Sequence, residues 1–139
     1  MNVSEKVFFD TAPFIYLIEN HPEFYQKTEE LIFNLAMSSA SFYTSVLTET
    51  EFNVQPIKLN KRELIDDFEK ILVDIGFKVH NIDIGIAKKA AELRVKHGLK
   101  TLDALQVATA IESDCSVFVT NDKGLKRLSE LKVILISEL

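Results

Sequence analysis

Short apolar runs rich in strand-forming residues alternate with longer amphipathic stretches along almost all of this 139-residue chain. The clearest amphipathic stretch predicts a helix, with apolar side chains at Leu64, Ile65, Phe68, Ile71, Leu72 and Ile75 and a stop at Gly76. Parallel strands need crossover connections, which are usually helical. The alternation therefore predicts βαβ units, and with them a parallel sheet of about five strands covered by helices on both faces.

The predicted elements follow one another without a break. Strands are predicted at residues 7–9, 42–46, 77–79, 117–120 and 133–136. Helices are predicted from Asp10 to a stop at Pro22, over 23–38, from Thr48 to Gln55-Pro56, over 64–75, over 84–97 with Gly98 closing it, from a Thr101 cap to Ser113, and around 125–128. The chain shows no repeat, low-complexity tract or linker, so we expect a single domain over residues 1–139.

Composition narrows the class of protein. Hydrophobic residues make up 47% of the chain and charged residues 27%, which is enough to bury a core. No run of about 18 apolar residues occurs, so we expect no membrane span. The first ten residues carry Glu5 and Asp10 and lack the apolar segment of a secretory signal. A single cysteine, Cys115, leaves no partner for an internal disulfide, and we expect a cytoplasmic protein.

Four acidic residues are predicted at the same edge of the sheet. Asp10 follows the first strand, Glu51 lies in the helix after the second with Glu49 two positions before it, and Asp122 follows the fourth. Asp103 lies in the first turn of the helix that leads into the fourth strand, and such a helix begins at the carboxyl edge of the sheet. Ligands of open parallel sheets bind at this edge. We therefore expect the four carboxylates to lie close together.

Such a group of carboxylates favours a particular chemistry. Crowded carboxylates repel one another unless a cation neutralises them. Oxygen ligands without nearby cysteine or histidine favour a hard cation, Mg²⁺ or Mn²⁺. An ion of this kind polarises a phosphoryl oxygen and activates water. Hydrolysis of a phosphodiester is the simplest reaction class that this pattern predicts.

Each acid also has an ordinary structural interpretation. Asp10 can be a helix N-cap, worth about 1 kcal/mol, and Asp103 can favour its helix dipole, worth roughly 0.3–1 kcal/mol. Asp122 can be a turn residue, and Glu51 can lie on a solvated helix face. The helix of Asp103 is apolar almost all round, so a carboxylate at its start needs a partner. The coincidence of four such positions favours a functional site.

Polar neighbours of the acids have two interpretations as well. Thr120 and Asn121 can hold a metal-bound water or orient Asp122, or they can satisfy the turn. Gln106 lies one helical turn from Asp103 on the same face. It can bond to Asp103 or to a substrate, or it can be a satisfied buried amide.

Four stretches of the sequence resemble the PIN-domain nucleases, and especially the VapC-type toxins of prokaryotic toxin–antitoxin pairs. They are Phe-Phe-Asp-Thr-Ala-Pro-Phe-Ile at 8–15, Thr-Ser-Val-Leu-Thr-Glu-Thr-Glu at 44–51, Lys-Thr-Leu-Asp-Ala-Leu-Gln-Val-Ala-Thr-Ala at 100–110, and Val-Thr-Asn-Asp at 119–122. The stretches occur in the family's order and span nearly the whole chain. Thr-Leu-Asp-Ala-Leu-Gln and Thr-Asn-Asp are specific in combination.

The resemblance implies a three-layer α/β/α fold with strand order 3-2-1-4-5. It also implies a Mg²⁺- or Mn²⁺-dependent endoribonuclease that acts on RNA, forms a homodimer and is neutralised by a cognate antitoxin protein. By position it assigns the metal and catalytic site to Asp10, Glu51, Asp103 and Asp122, with supporting roles for Thr11, Thr120, Asn121 and Gln106. Glu51 is preferred to Glu49 because it falls three residues after Thr48, as the family's glutamate usually does. Family members often carry histidine where this chain has Gln106.

Charge is unevenly distributed along the chain, whose formal net charge is −5. This balance argues against a protein that holds nucleic acid mainly through bulk positive charge. Residues 1–85 carry 7 basic and 14 acidic side chains, whereas residues 86–139 carry 9 basic and 7 acidic ones. We expect the cations near Asp103 and Asp122, above all Arg94, Lys100 and Lys123, to contact RNA phosphates. A solvated helix face is the alternative for any single one of them.

Three other classes of protein share part of this pattern. A phosphatase of the haloacid-dehalogenase kind needs a second aspartate two residues after the first, where this chain has Ala12. A receiver-like phosphoacceptor domain needs an adjacent acidic pair after the first strand, but Phe9 precedes Asp10. A PIN-like domain kept only as a binding or assembly module is the non-enzyme alternative.

Overall fold

A parallel sheet forms the centre of the molecule. The computed structural model describes residues 4–139, so the first three residues of the domain predicted over 1–139 lie outside the described residues. Within this range the sheet has five strands, which are β1 (Lys6–Phe9), β2 (Ser41–Ser45), β3 (Lys78–His80), β4 (Val117–Thr120) and β5 (Lys132–Leu135). All neighbours pair in parallel in the order β3-β2-β1-β4-β5. The predicted strand order is confirmed.

Six helices of the described chain cover the sheet. They are α1 (Thr11–Ile18), α2 (Tyr25–Met37), α3 (Val46–Lys58), α4 (Arg62–Ile75), α5 (Ile84–His97) and α6 (Thr101–Glu112), followed by 3₁₀ turns at Lys123–Leu125 and Ile136–Glu138. Helices α5 and α6 pack on one face and α1 to α4 on the other, so the molecule has three layers. None of the helices in residues 4–139 is long and apolar enough to cross a membrane.

Strand β1 lies in the middle of the sheet and is buried on both faces. Successive side chains of a strand point to opposite faces, so Phe8 packs under α5 and α6 while Val7 and Phe9 pack under α1 to α4. Phe8 pairs with Tyr43 of β2 and Phe118 of β4. This position places the residue after β1 at the centre of the carboxyl edge.

Helix α3 differs from its prediction at both ends. It begins at Val46 and not at Thr48, because the Ser45 hydroxyl caps it by accepting a hydrogen bond from the amide two residues on, at 3.1 Å. It also continues past Pro56 to Lys58. Pro56 lies in the last turn and is buried on the same helix face as Phe52, four residues earlier. A proline there removes a hydrogen bond only near the end of the helix, and burial of its ring offsets that loss.

Two boundaries in the C-terminal half also differ. Thr101 is the first helical residue of α6 and not its cap; Lys100 occupies the N-cap position and makes no side-chain cap bond. The helix predicted around 125–128 is instead the 3₁₀ turn at Lys123–Leu125, which starts early because Asp122 caps it. The glycine stops are confirmed, since Gly76 and Gly98 have left-handed φ angles of 90° and 68°.

Candidate metal centre

A cavity of about 330 Å³ opens at the carboxyl edge of the sheet, above β1. Three of the four predicted acids line it, namely Asp10, Glu51 and Asp103. The other lining residues are Thr11, Ala12, Ile15, Gln106, Phe118 and Leu125. Asp122 is not among the lining residues, but its charge acts on Asp103. The structure thus brings three acids from well-separated parts of the chain to one cavity, with the fourth nearby.

Asp10 is held by main-chain and side-chain contacts from β4. Its amide donates to the Val119 carbonyl at 3.1 Å, and its Oδ2 accepts a hydrogen bond from the Thr120 hydroxyl at 2.5 Å. Asp10 occupies the N-cap position of α1, yet its side chain makes no cap bond. Its Oδ1 is buried and has no hydrogen-bond partner among the described residues. The Ala12 amide of α1 is near enough to lower the pKa of Asp10, but no cap bond of normal geometry forms, so helix capping alone does not explain the position of this carboxylate.

Burial and mutual repulsion make two of the acids reluctant to ionise. Burial raises the pKa of Asp10 to about 7, against the hydrogen bond from Thr120, and the charges of Glu51 and Asp103 raise it further. Burial also raises the pKa of Asp103, and the nearby charges of Asp122 and Glu51 add to this effect. A bound cation would remove this penalty.

The two glutamates of α3 face different neighbours. Oε1 of Glu51 accepts a hydrogen bond at 2.8 Å from the hydroxyl of Thr11, which links α3 to α1 beside the cavity. Glu49 instead meets Glu69 of α4, and burial together with this partner raises the pKa of Glu49 to about 7. Residues two apart on a helix do not share a face. The geometry therefore places Glu51, and not Glu49, at the cavity.

Thr120 joins two of the predicted acids. While it donates to Asp10, its Oγ1 accepts a hydrogen bond from the Asp122 amide at 3.1 Å. Asp122 itself is exposed, and its Oδ1 accepts from the Gly124 amide at 2.8 Å. The turn interpretation of Asp122 is thus observed for one carboxylate oxygen, and the other oxygen has no such bond among the described contacts.

In the described part of the chain, the side chain of Asn121 does not bond to Asp122, and that of Gln106 does not bond to Asp103. Asn121 donates to the Tyr16 hydroxyl at 2.9 Å and accepts from the Ser137 amide at 2.9 Å, so it fixes the loop after β4. Gln106 lines the cavity but bonds to Ser45 and Thr48. The proposed contact from Gln106 to Asp103 is not formed. Sequence reasoning had not linked Gln106 to Thr48, although both lie one helical turn from an acid.

The carboxylates fit a hydrated divalent cation. No three acidic, histidine or cysteine side chains within residues 4–139 already stand where all could bind one ion directly. Mg²⁺, however, keeps several waters and uses only one or two carboxylates in many protein sites. Acids spaced around a cavity suit such an ion, and the partnerless Oδ1 of Asp10 is a free ligand atom among them. Asp10, Glu51 and Asp103 are the residues that could hold it, and Asp122 is close enough for its charge to act on Asp103.

Several cations in the C-terminal half of the chain are already bonded. Lys96 pairs with Glu130 at 3.2 Å and Lys126 with Glu138 at 3.0 Å. Arg94 donates its Nε to the Leu99 carbonyl at 3.2 Å. By contrast, Lys100 and Lys123 make no ion pair with any residue of the described range. The charge of Lys100 favours the ionised form of Asp103, although burial wins and the pKa of Asp103 stays raised.

Comparison with solved structures shows the fold in other proteins. A toxin-antitoxin complex from Klebsiella pneumoniae matches with a TM-score of 0.70 and 21% identity, covering 94% of this chain and 97% of that chain. VapBC2 from Rickettsia felis, bound to a DNA fragment from their promoter, matches with a TM-score of 0.72 and 20% identity, covering 94% and 98%. PAE2754 from Pyrobaculum aerophilum matches with a TM-score of 0.60 and 17% identity, covering 98% and 93%. No curated protein matches in sequence.

The family model of the PIN domain matches residues 7–131, which includes β1 from its second residue, all of β2 to β4, and all six helices. That range also contains Asp10, Glu51, Asp103 and Asp122. On this match, and with the confirmed strand order, the chain belongs to the PIN domain family.

Proposed function

We propose that this protein is a metal-dependent endoribonuclease, the VapC-type toxin of a toxin–antitoxin pair, and that residues 1–139 act as a single domain. The observation that carries the proposal is the cavity lined by Asp10, Glu51 and Asp103. Burial and mutual repulsion raise the free energy of these carboxylates in their ionised form, and groups with pKa values perturbed in this way are typical of functional sites. Membership of the PIN domain family and the two toxin–antitoxin complexes among its structural neighbours support the same assignment.

Mg²⁺ or Mn²⁺ is the proposed cofactor, held by Asp10, Glu51, Asp103 and Asp122, partly through the waters that such an ion keeps. When bound, such an ion supplies polarisation of a phosphoryl oxygen and activation of water for in-line attack. The protein's own contribution is placement of the ligands. Thr120 holds Oδ2 of Asp10, which leaves Oδ1 for the ion, and Thr11 holds one oxygen of Glu51.

The proposed substrate is RNA, bound across the cavity. Lys100, next to Asp103, and Lys123, next to Asp122, have no ion pair within the described residues and can contact flanking phosphates. Arg94 is a weaker candidate because its Nε is bonded to the main chain. We also propose a cytoplasmic location, a homodimer, which sedimentation equilibrium tests, and an antitoxin protein as partner.

Incubation of the purified protein with a panel of cellular RNAs tests the activity. Cleavage should require Mn²⁺, stop in EDTA, and fall at least 100-fold in Asp10→Asn and Asp103→Asn. Asp114→Asn is the matched control, because it removes the same charge from an exposed residue at the opposite end of α6. Cleavage that persists in EDTA and in Asp103→Asn would rule out the mechanism. Metal-independent RNA binding without any cleavage would favour the non-catalytic module.

A further inference from the structure

A cluster of hydroxyl and amide side chains lies buried directly behind the cavity. It consists of Thr44, Ser45, Thr48 and Gln106, which we call the hydroxyl–amide cluster. The first three are fully buried and Gln106 is 3% exposed. They come from β2, α3 and α6, and β2 pairs with β1, the strand that Asp10 follows.

Hydrogen bonds run through this cluster without a gap. Gln106 donates from Nε2 to the Thr48 hydroxyl at 2.9 Å and accepts at Oε1 from the Ser45 hydroxyl. The Thr44 hydroxyl donates to the Phe9 carbonyl at 2.8 Å and lies 2.9 Å from the Thr48 hydroxyl. Because a hydroxyl has a single hydrogen, Thr48 must be the donor in its contact with Thr44. One line of bonds therefore joins the Gln106 amide on α6 to the main chain of β1.

Three residues in this line of hydrogen bonds lie close in sequence to the acids of the cavity. Phe9 immediately precedes Asp10. Thr48 lies three residues before Glu51 on α3, and Gln106 lies three residues after Asp103 on α6. Residues three apart on a helix are neighbours on its surface. The hydroxyl–amide cluster thus ties together the three elements that carry the cavity carboxylates.

A contribution to stability alone does not explain a glutamine at this position. Polar side chains cost free energy on burial unless all their groups are bonded, and an apolar side chain of similar volume avoids that requirement. Elsewhere α6 packs against the sheet through apolar side chains such as those of Ala104, Val107 and Ala108. The hydroxyl–amide cluster adds a defined relative placement of the elements, because each directional hydrogen bond fixes one element relative to another.

We propose that Gln106 is a positioning residue that sets the separation of α3 and α6, and with it the placement of Glu51 and Asp103 around the metal ion. This inference rests on the proposed metal-dependent function. Residues that orient metal ligands without touching the ion change metal affinity by about 10–100-fold when they are replaced.

The test measures Mn²⁺ affinity by calorimetry or electron paramagnetic resonance, together with the melting temperature of the metal-free protein. Gln106→Met keeps the approximate volume and removes both hydrogen bonds, so we expect Mn²⁺ binding about 10-fold weaker or more. The matched control is Thr109→Val on the same helix, whose buried hydroxyl bonds only to the Leu105 carbonyl of α6. This control should bind Mn²⁺ as the wild type does, whatever its melting temperature.

Thr48→Val breaks the same line of bonds from α3 and carries the test if Gln106→Met does not fold. Because both side chains act through one line, the loss in affinity of the double variant should be clearly smaller than the product of the single losses. Wild-type protein that binds no Mn²⁺ would overturn the proposed function. Wild-type binding that Gln106→Met and Thr48→Val leave within twofold would overturn only the positioning role.

Discussion

At the scale of single residues, the environment of each acid separates those that surround the cavity from those that do not. Asp10 has one bonded and one partnerless oxygen, whereas Glu49 is turned toward Glu69. Sequence spacing placed Asp10 and Asp103 at the correct edge because that inference needs only the order of strands and helices. It could not show the partnerless Oδ1, the two bonds of Thr120 or the Ser45–Gln106 contact, since these depend on side-chain conformations.

Asp10→Asn should stabilise the metal-free protein at pH 8. The folded-state pKa of Asp10 is raised to about 7, so the unfolded chain loses this proton first and stability falls as pH rises from about 4 to 7. Asparagine cannot ionise and avoids the loss. Because one pKa unit corresponds to roughly 1.4 kcal/mol, a rise from 3.8 to about 7 predicts a gain of up to about 4 kcal/mol at pH 8 that nearly vanishes at pH 4. Urea unfolding in EDTA at the two pH values measures it. An equal effect at both would contradict the buried-charge explanation.

Glu51→Gln and Glu49→Gln should behave differently although the residues are two apart. Glu51 lines the cavity, so its replacement should weaken Mn²⁺ binding about 10-fold or more. Glu49→Gln should leave Mn²⁺ binding within about twofold. It should also raise stability at pH 8 by about 0.5–1 kcal/mol, because it ends the repulsion with Glu69. Calorimetric titration with Mn²⁺ and urea unfolding measure the two effects, and weaker Mn²⁺ binding by Glu49→Gln would contradict the placement.

At the scale of elements, hydrogen bonds and an ion pair join the end of α5 to the segment before β5. Nε2 of His97 lies 2.9 Å and 3.0 Å from the two carboxylate oxygens of Glu130, and Lys96 lies 3.2 Å from one of them. The sequence predicted α5 from about residue 84 to 97 and its stop at Gly98, because helix-forming residues and a glycine stop are local signals. The contact of His97 with Glu130 was not predictable, since it joins residues more than 30 positions apart. The start of α3 was misplaced for a different reason: its cap bond at Ser45 is local, but the predicted strand had taken in Val46, which is the first residue of the helix.

Glu130→Gln should destabilise the protein by about 1–3 kcal/mol at pH 7. Burial opposes ionisation of Glu130, but the hydrogen bonds from His97 and Lys96 outweigh it and lower the pKa to about 2. The ionised carboxylate therefore stabilises the fold above about pH 4.5, and this stabilisation is lost as pH falls toward 2. Urea unfolding at pH 7 and pH 3 should show a smaller difference from the wild type at pH 3. A difference that grows on acidification would contradict the ion-pair explanation.

At the scale of the whole molecule, carboxylates from β1, α3 and α6 converge only because the strand order puts β1 in the centre. The order of elements and the class of fold were predictable from alternation, and the resemblance to the PIN family supplied the strand order. The cavity itself was predictable as a place, at the carboxyl edge, but not as a shape. Its walls include Ile15, Phe118 and Leu125, which periodicity marks only as core residues.

Mn²⁺ should raise the melting temperature of the whole protein. A ligand that binds only the folded state at 100 times its dissociation constant adds about 2.7 kcal/mol of stability, which corresponds to roughly 5–10 °C for a domain of this size. Asp103→Asn should lose most of this increase, and Asp114→Asn should keep it. Differential scanning fluorimetry with and without Mn²⁺ makes the measurement, and an equal increase in both variants would place the ion elsewhere.

The central position of β1 has a consequence for how the chain is made. During synthesis β1 emerges before both of its neighbours; it pairs on one side with β2, but its other edge has no partner until residues 117–120 follow. An open strand edge invites pairing with other chains. Truncation anywhere before β4 should therefore yield an aggregating product and not a smaller working protein, so the machinery at the carboxyl edge comes into existence only after α6 and β4 have been made.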